Sequence, residues 1–174
     1  MNSIARRTLP ALSLGSLGMA AMLLVAGLLL TAPHAAGAAE ARVVYHADYA
    51  DPRRFSSMLT SINNMVMHYD NNFIDHDIRI VFVAHGVRFV TDDALAETPF
   101  AEDDQLREQR DSLRGRLLTL NNLHNVRLEL CEITRNDIGL GQDKVYDAVD
   151  FVPSGVVRIA ELQIEEGFAY IKIE

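Results

Sequence analysis

Apolar and polar positions follow two rhythms along residues 42–174, and the rhythm switches repeatedly. "RVVYHA", Arg42 to Ala47, is rich in β-branched and aromatic side chains, the pattern of a strand. Asp51 and Pro52 then read as a helix cap followed by proline at the first helical position. Phe55, Met58, Leu59, Ile62, Met65, Val66 and Tyr69 recur at three- and four-residue spacing, one helical stripe facing a core. "IRIVFVAHG", Ile78 to Gly86, is almost continuously apolar, as a strand covered on both faces should be. A long polar segment follows, in which Leu106, Leu113, Leu117 and Leu120 mark the inner side of a second helix. "VRLEL" predicts a third strand ending at Cys131, "AVDFVP" a fourth and "FAYIKI" a fifth. Between the third and fourth, "NDIGLGQDKVYD" allows only a short, glycine-interrupted helix. Ser154 caps a last helix, Gly155 to Glu166, which Gly167 terminates.

Strand and helix therefore alternate four times. That predicts an α/β fold, a single three-layer domain with a mostly parallel five-stranded sheet. No internal repeat, low-complexity tract or second domain interrupts it.

The first 39 residues have a different pattern. Arg6 and Arg7 precede a largely apolar stretch from Ala11 to Leu30, and "TAPHAAGAAE" follows. A charged start, an apolar middle and a small-residue exit are the parts of a secretory signal, with cleavage expected after Ala38 or Ala39. An apolar stretch of about 20 residues is also long enough to span a bilayer, so an uncleaved anchor is the alternative. Both readings place residues 40–174 in the periplasm, either free or held at the inner membrane facing it. Membrane contact is expected only if the segment is retained.

Charge narrows the partners. Residues 40–174 hold 14 basic against 24 acidic residues, a net charge of −10. A chain this acidic, with its basic residues scattered, is repelled by nucleic acid and by anionic membrane surfaces. There is no phosphate-binding glycine loop, GxSxG elbow or HExxH helix, and the lone Gly86 in "HGVRFV" is too weak a signal for nucleotide binding. No cofactor is implied.

The chain has one cysteine, Cys131, so no internal disulfide forms and no CxxC pair exists for zinc or dithiol chemistry. In open α/β sheets ligands bind outside the carboxyl ends of the strands. His46, His85 and Cys131 are predicted to close the first, second and third strands, so a parallel sheet brings them to one rim. A strand-end cysteine before a helix start meets backbone N–H groups that favour the thiolate, and Arg135 adds positive charge nearby, whereas Glu132 opposes ionisation. The competing reading is that Cys131 is a small buried hydrophobe and that both histidines are structural. A metal held by His46, His85 and Cys131 is a third reading, without any close-spaced ligand motif behind it. His68 and His76 are expected to be solvated, at a helix end and in a loop.

Four stretches carry a resemblance to a known family: "VVYHADYADPRR", "VFVAHG", the strand-end cysteine of "VRLELC", and "VPSGVVRIAELQIEEGFAYIK". Together they span Arg42 to Glu174, and the chain resembles the DsrE/DsrF-like family of small sulfur-relay and related proteins, in an exported, periplasmic form. The resemblance implies a compact α/β domain of DsrE type that often assembles into homo-oligomers. It also implies a persulfide on a cysteine at about this place, passed to a partner protein. Cys131 alone is positioned to inherit that role, with His46, His85 and Arg135 lining its pocket. Many relatives follow the cysteine with a small polar pair, where this chain has Glu132 and Ile133. The expected function is thus a carrier of sulfane sulfur or thiols between protein partners, at most sulfurtransferase-like. The alternative is a non-catalytic ligand-binding or oligomeric assembly module with an inert cysteine.

Overall fold

The structure is a computed structural model that describes residues 40–174. The leader read at 1–39 lies outside the described residues. Among those described, no helix is long and apolar enough to cross a membrane.

Five strands form one sheet: β1 (Ala41–Ala47), β2 (His76–Phe82), β3 (Arg127–Cys131), β4 (Val149–Val152) and β5 (Ala169–Ile171). Their order is β4-β3-β2-β1-β5, and all four pairings are parallel. Four α-helices connect them: α1 (Pro52–Asn71), α2 (Asp104–His124), the short α3 (Glu132–Asp137) and α4 (Gly155–Ile164). The caps follow from local chemistry. Asp51 accepts from the Arg53 N–H with Pro52 behind it, Asp103 accepts from Leu106, and Ser154 accepts from Val157.

Side-chain alternation splits the interior in two. Val43, Tyr45, Ile78, Ile80, Leu128 and Leu130 face α1 and α2 in the larger core, where Phe55 stacks on Phe89 at 4.0 Å. The opposite face is covered by α4 through a smaller cluster of Val44, Val81, Ile159, Leu162 and Phe168. Beside it lie Arg79 and Glu129, charged yet buried, and each is tolerated there because it is paired.

Several boundaries differ from the sequence reading. The second strand runs His76–Phe82 rather than Ile78 to Gly86. Val83 still donates to the Ala47 carbonyl at 2.9 Å, but Ala84 turns into the left-handed region (φ 49°) and a 3₁₀ segment, Ala84–Phe89, follows. His85 therefore stands on a turn beyond the strand and does not close it. His76 is not in a loop: it opens β2, with Nε2 3.2 Å from the Asp70 carboxylate. The glycine-rich segment after β3 is preceded by α3, which starts directly after Cys131. The last helix stops at Ile164, two residues before Glu166, and Gly167 turns the chain at φ 74°.

Candidate functional site

Cys131 is the last residue of β3 and the residue before α3. It shares a face with Glu129, opposite the core residues Leu128 and Leu130, and so points under α4. Its relative exposure is 4%. The first residue of α4, Gly155, lies directly against it: a Cβ at Gly155 would stand 3.1 Å from the Cys131 Cβ and 2.6 Å from Val83 Cγ2. Two helix starts, those of α3 and α4, therefore converge on one sulfur.

This arrangement decides the ionisation of the thiol. The neutral thiol closes no capping hydrogen bond to α3. Burial pushes its pKa up, but the N–H of Gly155, the N–H and hydroxyl of Thr134 and the N–H of Ile133 all favour the thiolate. The net direction is down from the ordinary thiol value. Thr134 is itself buried, and its Oγ1 accepts the Ala84 N–H at 3.0 Å. The hydroxyl proton is thus free to point at the sulfur while the oxygen is held from behind. Ala84, in its left-handed conformation, is the point where the β2 exit reaches this pocket.

Replacing Thr134 with valine removes one donor to the thiolate and orphans the Ala84 N–H. The ultraviolet thiolate absorbance, titrated against Cys131→Ser as the blank, should then move its midpoint up by roughly 0.5–1 pH unit, the equivalent of one hydrogen bond. An unmoved midpoint would remove Thr134 from the site.

The other residues singled out from the sequence are placed as follows. His46 shares the α4 face with Cys131, but β2 lies between their strands, which puts them about 10 Å apart at the usual strand spacing. His46 belongs instead to a group at the β1–β5 edge. Its Nδ1 is 3.0 Å from the Tyr170 hydroxyl and its Nε2 is 3.9 Å from Asp48, which Lys172 holds at 2.8 Å. Burial lowers the His46 pKa, Asp48 raises it in part and Lys172 lowers it further, so the net direction is down. His85 packs edge-on against Phe100 at 5.0 Å, and Phe100 packs on the α1–α2 core. The Arg135 guanidinium is spent on the Leu140 carbonyl (2.6 Å), on Asn136 (2.7 Å) and on Glu132, and it lies over the Phe151 ring. It braces the loop after α3. The structure thus does not bring His46, His85 and Cys131 together. Among the described residues no group of three or more His, Cys, Asp or Glu side chains is able to hold a metal ion.

What stands around the sulfur instead is Thr134 and Gly155, which the sequence reading passed over. A signal for each exists. Thr134 sits three residues after the cysteine, where a helix starting at Glu132 would aim its N–H back at Cys131, and Gly155 follows the Ser154 cap.

Fold and site together define an all-parallel α/β domain that shelters one thiol at the carboxyl edge of its sheet, under a helix start. The chain belongs to the DsrE/DsrF-like family, whose model matches residues 41–173. A solved structure, that of a protein of unknown function from Methanobacterium thermoautotrophicum, is 26% identical in sequence. The match covers 76% of this chain and 98% of that one, with a TM-score of 0.57. No functionally curated protein matches.

Proposed function

We propose that this protein is an exported carrier of sulfane sulfur, with Cys131 as the acceptor and a partner protein as donor or recipient. The observation that carries the reading is the placement of Cys131 at the start of α3 with the first residue of α4, Gly155, directly against it, where the Gly155, Ile133 and Thr134 N–H groups hold its pKa down. In the step this supports, the Cys131 thiolate attacks the terminal sulfur of a donor persulfide. The donor S–S bond breaks, a Cys131 S–S bond forms, and the donor leaves as a thiolate, so no oxidant is consumed. Onward transfer is the same exchange with the recipient's thiolate as nucleophile. A single cysteine suits this chemistry, because a second one nearby would attack the Cys131 sulfur, form a disulfide with it and expel the carried sulfur as hydrosulfide. Membership of the DsrE/DsrF-like family supports sulfur handling in general. The leader pattern at 1–39 supports the periplasm, with an inner-membrane anchor if it is retained. Exposed Val156, Val157 and Ile164 on α4 support assembly into a homo-oligomer.

A second reading rests on the 4% exposure of Cys131: a binding or assembly module whose cysteine is inert packing. Intact mass separates the two. On protein isolated from the periplasm without reductant, the carrier shows one or more added sulfur atoms that reductant removes and Cys131→Ser lacks. An unmodified thiol that labels only after unfolding sinks the carrier and leaves the module.

A further inference from the structure

The Gly155 donor reaches Cys131 only if α4 is held at the right height and rotation; beside the apolar packing of Ile159 and Leu162 on the sheet, α4 meets β3 through two side-by-side pairs. At its first residue Gly155 lies against Cys131. One turn later the Arg158 Nε donates to Glu129 Oε2 at 3.0 Å. Glu129 and Cys131 are two residues apart on β3, about 6.6 Å along one face, and Gly155 and Arg158 are three apart on α4, about 4.5 Å along the axis. The two pairs therefore stand side by side, 131 with 155 and 129 with 158. Glu129 is fixed from the other side by Arg79 Nη1 at 3.1 Å, and Arg79 is forked onto Asp77 at 3.1 and 2.8 Å. Arg158 is fixed in turn by Glu166 at 3.1 Å. With side chains only 7% and 6% exposed, Arg79 and Glu129 form a buried network of the kind that adds little net stability over apolar residues of the same size.

We propose that Glu129 and Arg158 are positioning residues for Cys131, their ion pair seating α4 so that the Gly155 N–H stays on the sulfur. The inference rests on the reading of Cys131 as the working group. Other charged or titratable groups on the surrounding elements are Arg79, Asp150, Glu161, His85, Glu132 and Arg135: Arg79 belongs to the same network through Glu129 and Asp77, Asp150 and Glu161 line the same cavity as Glu129 and Arg158, and His85, Glu132 and Arg135 have their contacts elsewhere, with Phe100, with Gln142, and with Leu140 and Asn136.

The test titrates the ultraviolet thiolate absorbance of the protein, with Cys131→Ser as blank, beside thermal unfolding of each variant. Arg158→Met keeps the aliphatic stem and leaves Glu129 paired with Arg79. It should raise the midpoint by about half a pH unit, an approximately threefold loss of thiolate at any pH below it. Glu129→Gln should act in the same direction, and Arg158→Lys should return most of the loss. A core variant such as Ile62→Val, which lowers thermal stability without touching α4, should leave the midpoint in place. If Arg158→Met does not fold, Glu129→Leu with Arg158→Leu fills the same space without charge and is read in the same way. A folded Arg158→Met with an unmoved midpoint overturns the proposal. Sulfur found on the unaltered protein with no shift in Arg158→Met sinks the positioning role alone. A clear shift with no sulfur ever loaded sinks the carrier reading alone.

Discussion

Gly86→Ala is expected to destabilise the protein by at least about 3 kcal/mol, at or beyond the upper end for forcing atoms into a packed interior. A Cβ at Gly86 would stand 2.0 Å from the Ala47 carbonyl oxygen and 2.9 Å from its carbon. Both are backbone atoms, and that oxygen already accepts the Val83 N–H at 2.9 Å, so no side-chain rotation relieves the clash. The 3₁₀ segment must lift off the end of β1. Ala84 moves with it, and so does the N–H that holds Thr134 behind the sulfur. In urea the unfolding midpoint should fall at nearly unchanged slope, and thermal unfolding should drop by roughly 10 °C. Gly115 is the internal reference. It lies within α2 and a Cβ there meets nothing within 4 Å, so Gly115→Ala should gain up to about 1 kcal/mol from helix propensity. If the two substitutions behave alike, the close approach at Gly86 is wrong.

That glycine also shows where the sequence stops being legible. In "VAHGVRF" it is one small residue after an apolar run, without a repeat or spacing to mark it. Its requirement comes from Ala47, 39 positions earlier, and only the parallel β1–β2 register brings the two together. The elements themselves were legible because their causes are local. Asp51–Pro52 starts α1, the stripe positions Phe55, Met58, Leu59, Ile62 and Val66 are buried with Met65 and Tyr69 partly so, and the β-branched runs became strands of a parallel sheet. The end of β2 was not legible, because "VAHG" is as apolar as the strand before it and the turn at Ala84 is imposed by the Thr134 hydroxyl and the Ala47 carbonyl. The placement of His85 depended on that boundary.

Cys131 lies at a strand end, as its position after "VRLEL" implies, but a sheet edge is not a point. Five parallel strands make a rim some 20 Å wide at the usual spacing, so residues on β1 and β3 share a face without sharing a pocket. Periodicity identifies the face. It says nothing of what lies between, which here is Val83 under the first turn of α4. The partners that tune the thiol are backbone N–H groups, and these leave no residue-type signature in a sequence.

Gly155→Ala should separate the chemistry of the thiol from the stability of the fold. Its Cβ would stand 2.6 Å from Val83 Cγ2, 3.1 Å from Cys131 Cβ and 3.2 Å from Val81 Cγ1. All three are side-chain atoms of the α4 face, so the start of α4 can tilt away where Gly86 has no such outlet. The cost in stability should be about 1–3 kcal/mol. The effect on Cys131 should be larger in proportion, because the Gly155 N–H is the foremost of the donors that lower its pKa. Its loss leaves burial, which acts in the opposite direction, less opposed. In the unaltered protein the folded thiol titrates below the unfolded one. The unfolded chain therefore holds more protons between the two values, and stability rises with pH there. That contribution is fully present above the unfolded thiol pKa of about 8.5 and is lost as pH falls through the folded value. In Gly155→Ala this alkaline gain should shrink or reverse, while urea unfolding at a pH below the measured thiolate midpoint of both states reports only the packing cost. Sulfur loading should fall with the thiolate population, about tenfold for each pH unit the midpoint rises when measured below that midpoint. A variant that loses stability equally below and above the thiolate midpoint and still loads sulfur would show that α4 is merely a lid on Cys131 and has no part in its ionisation.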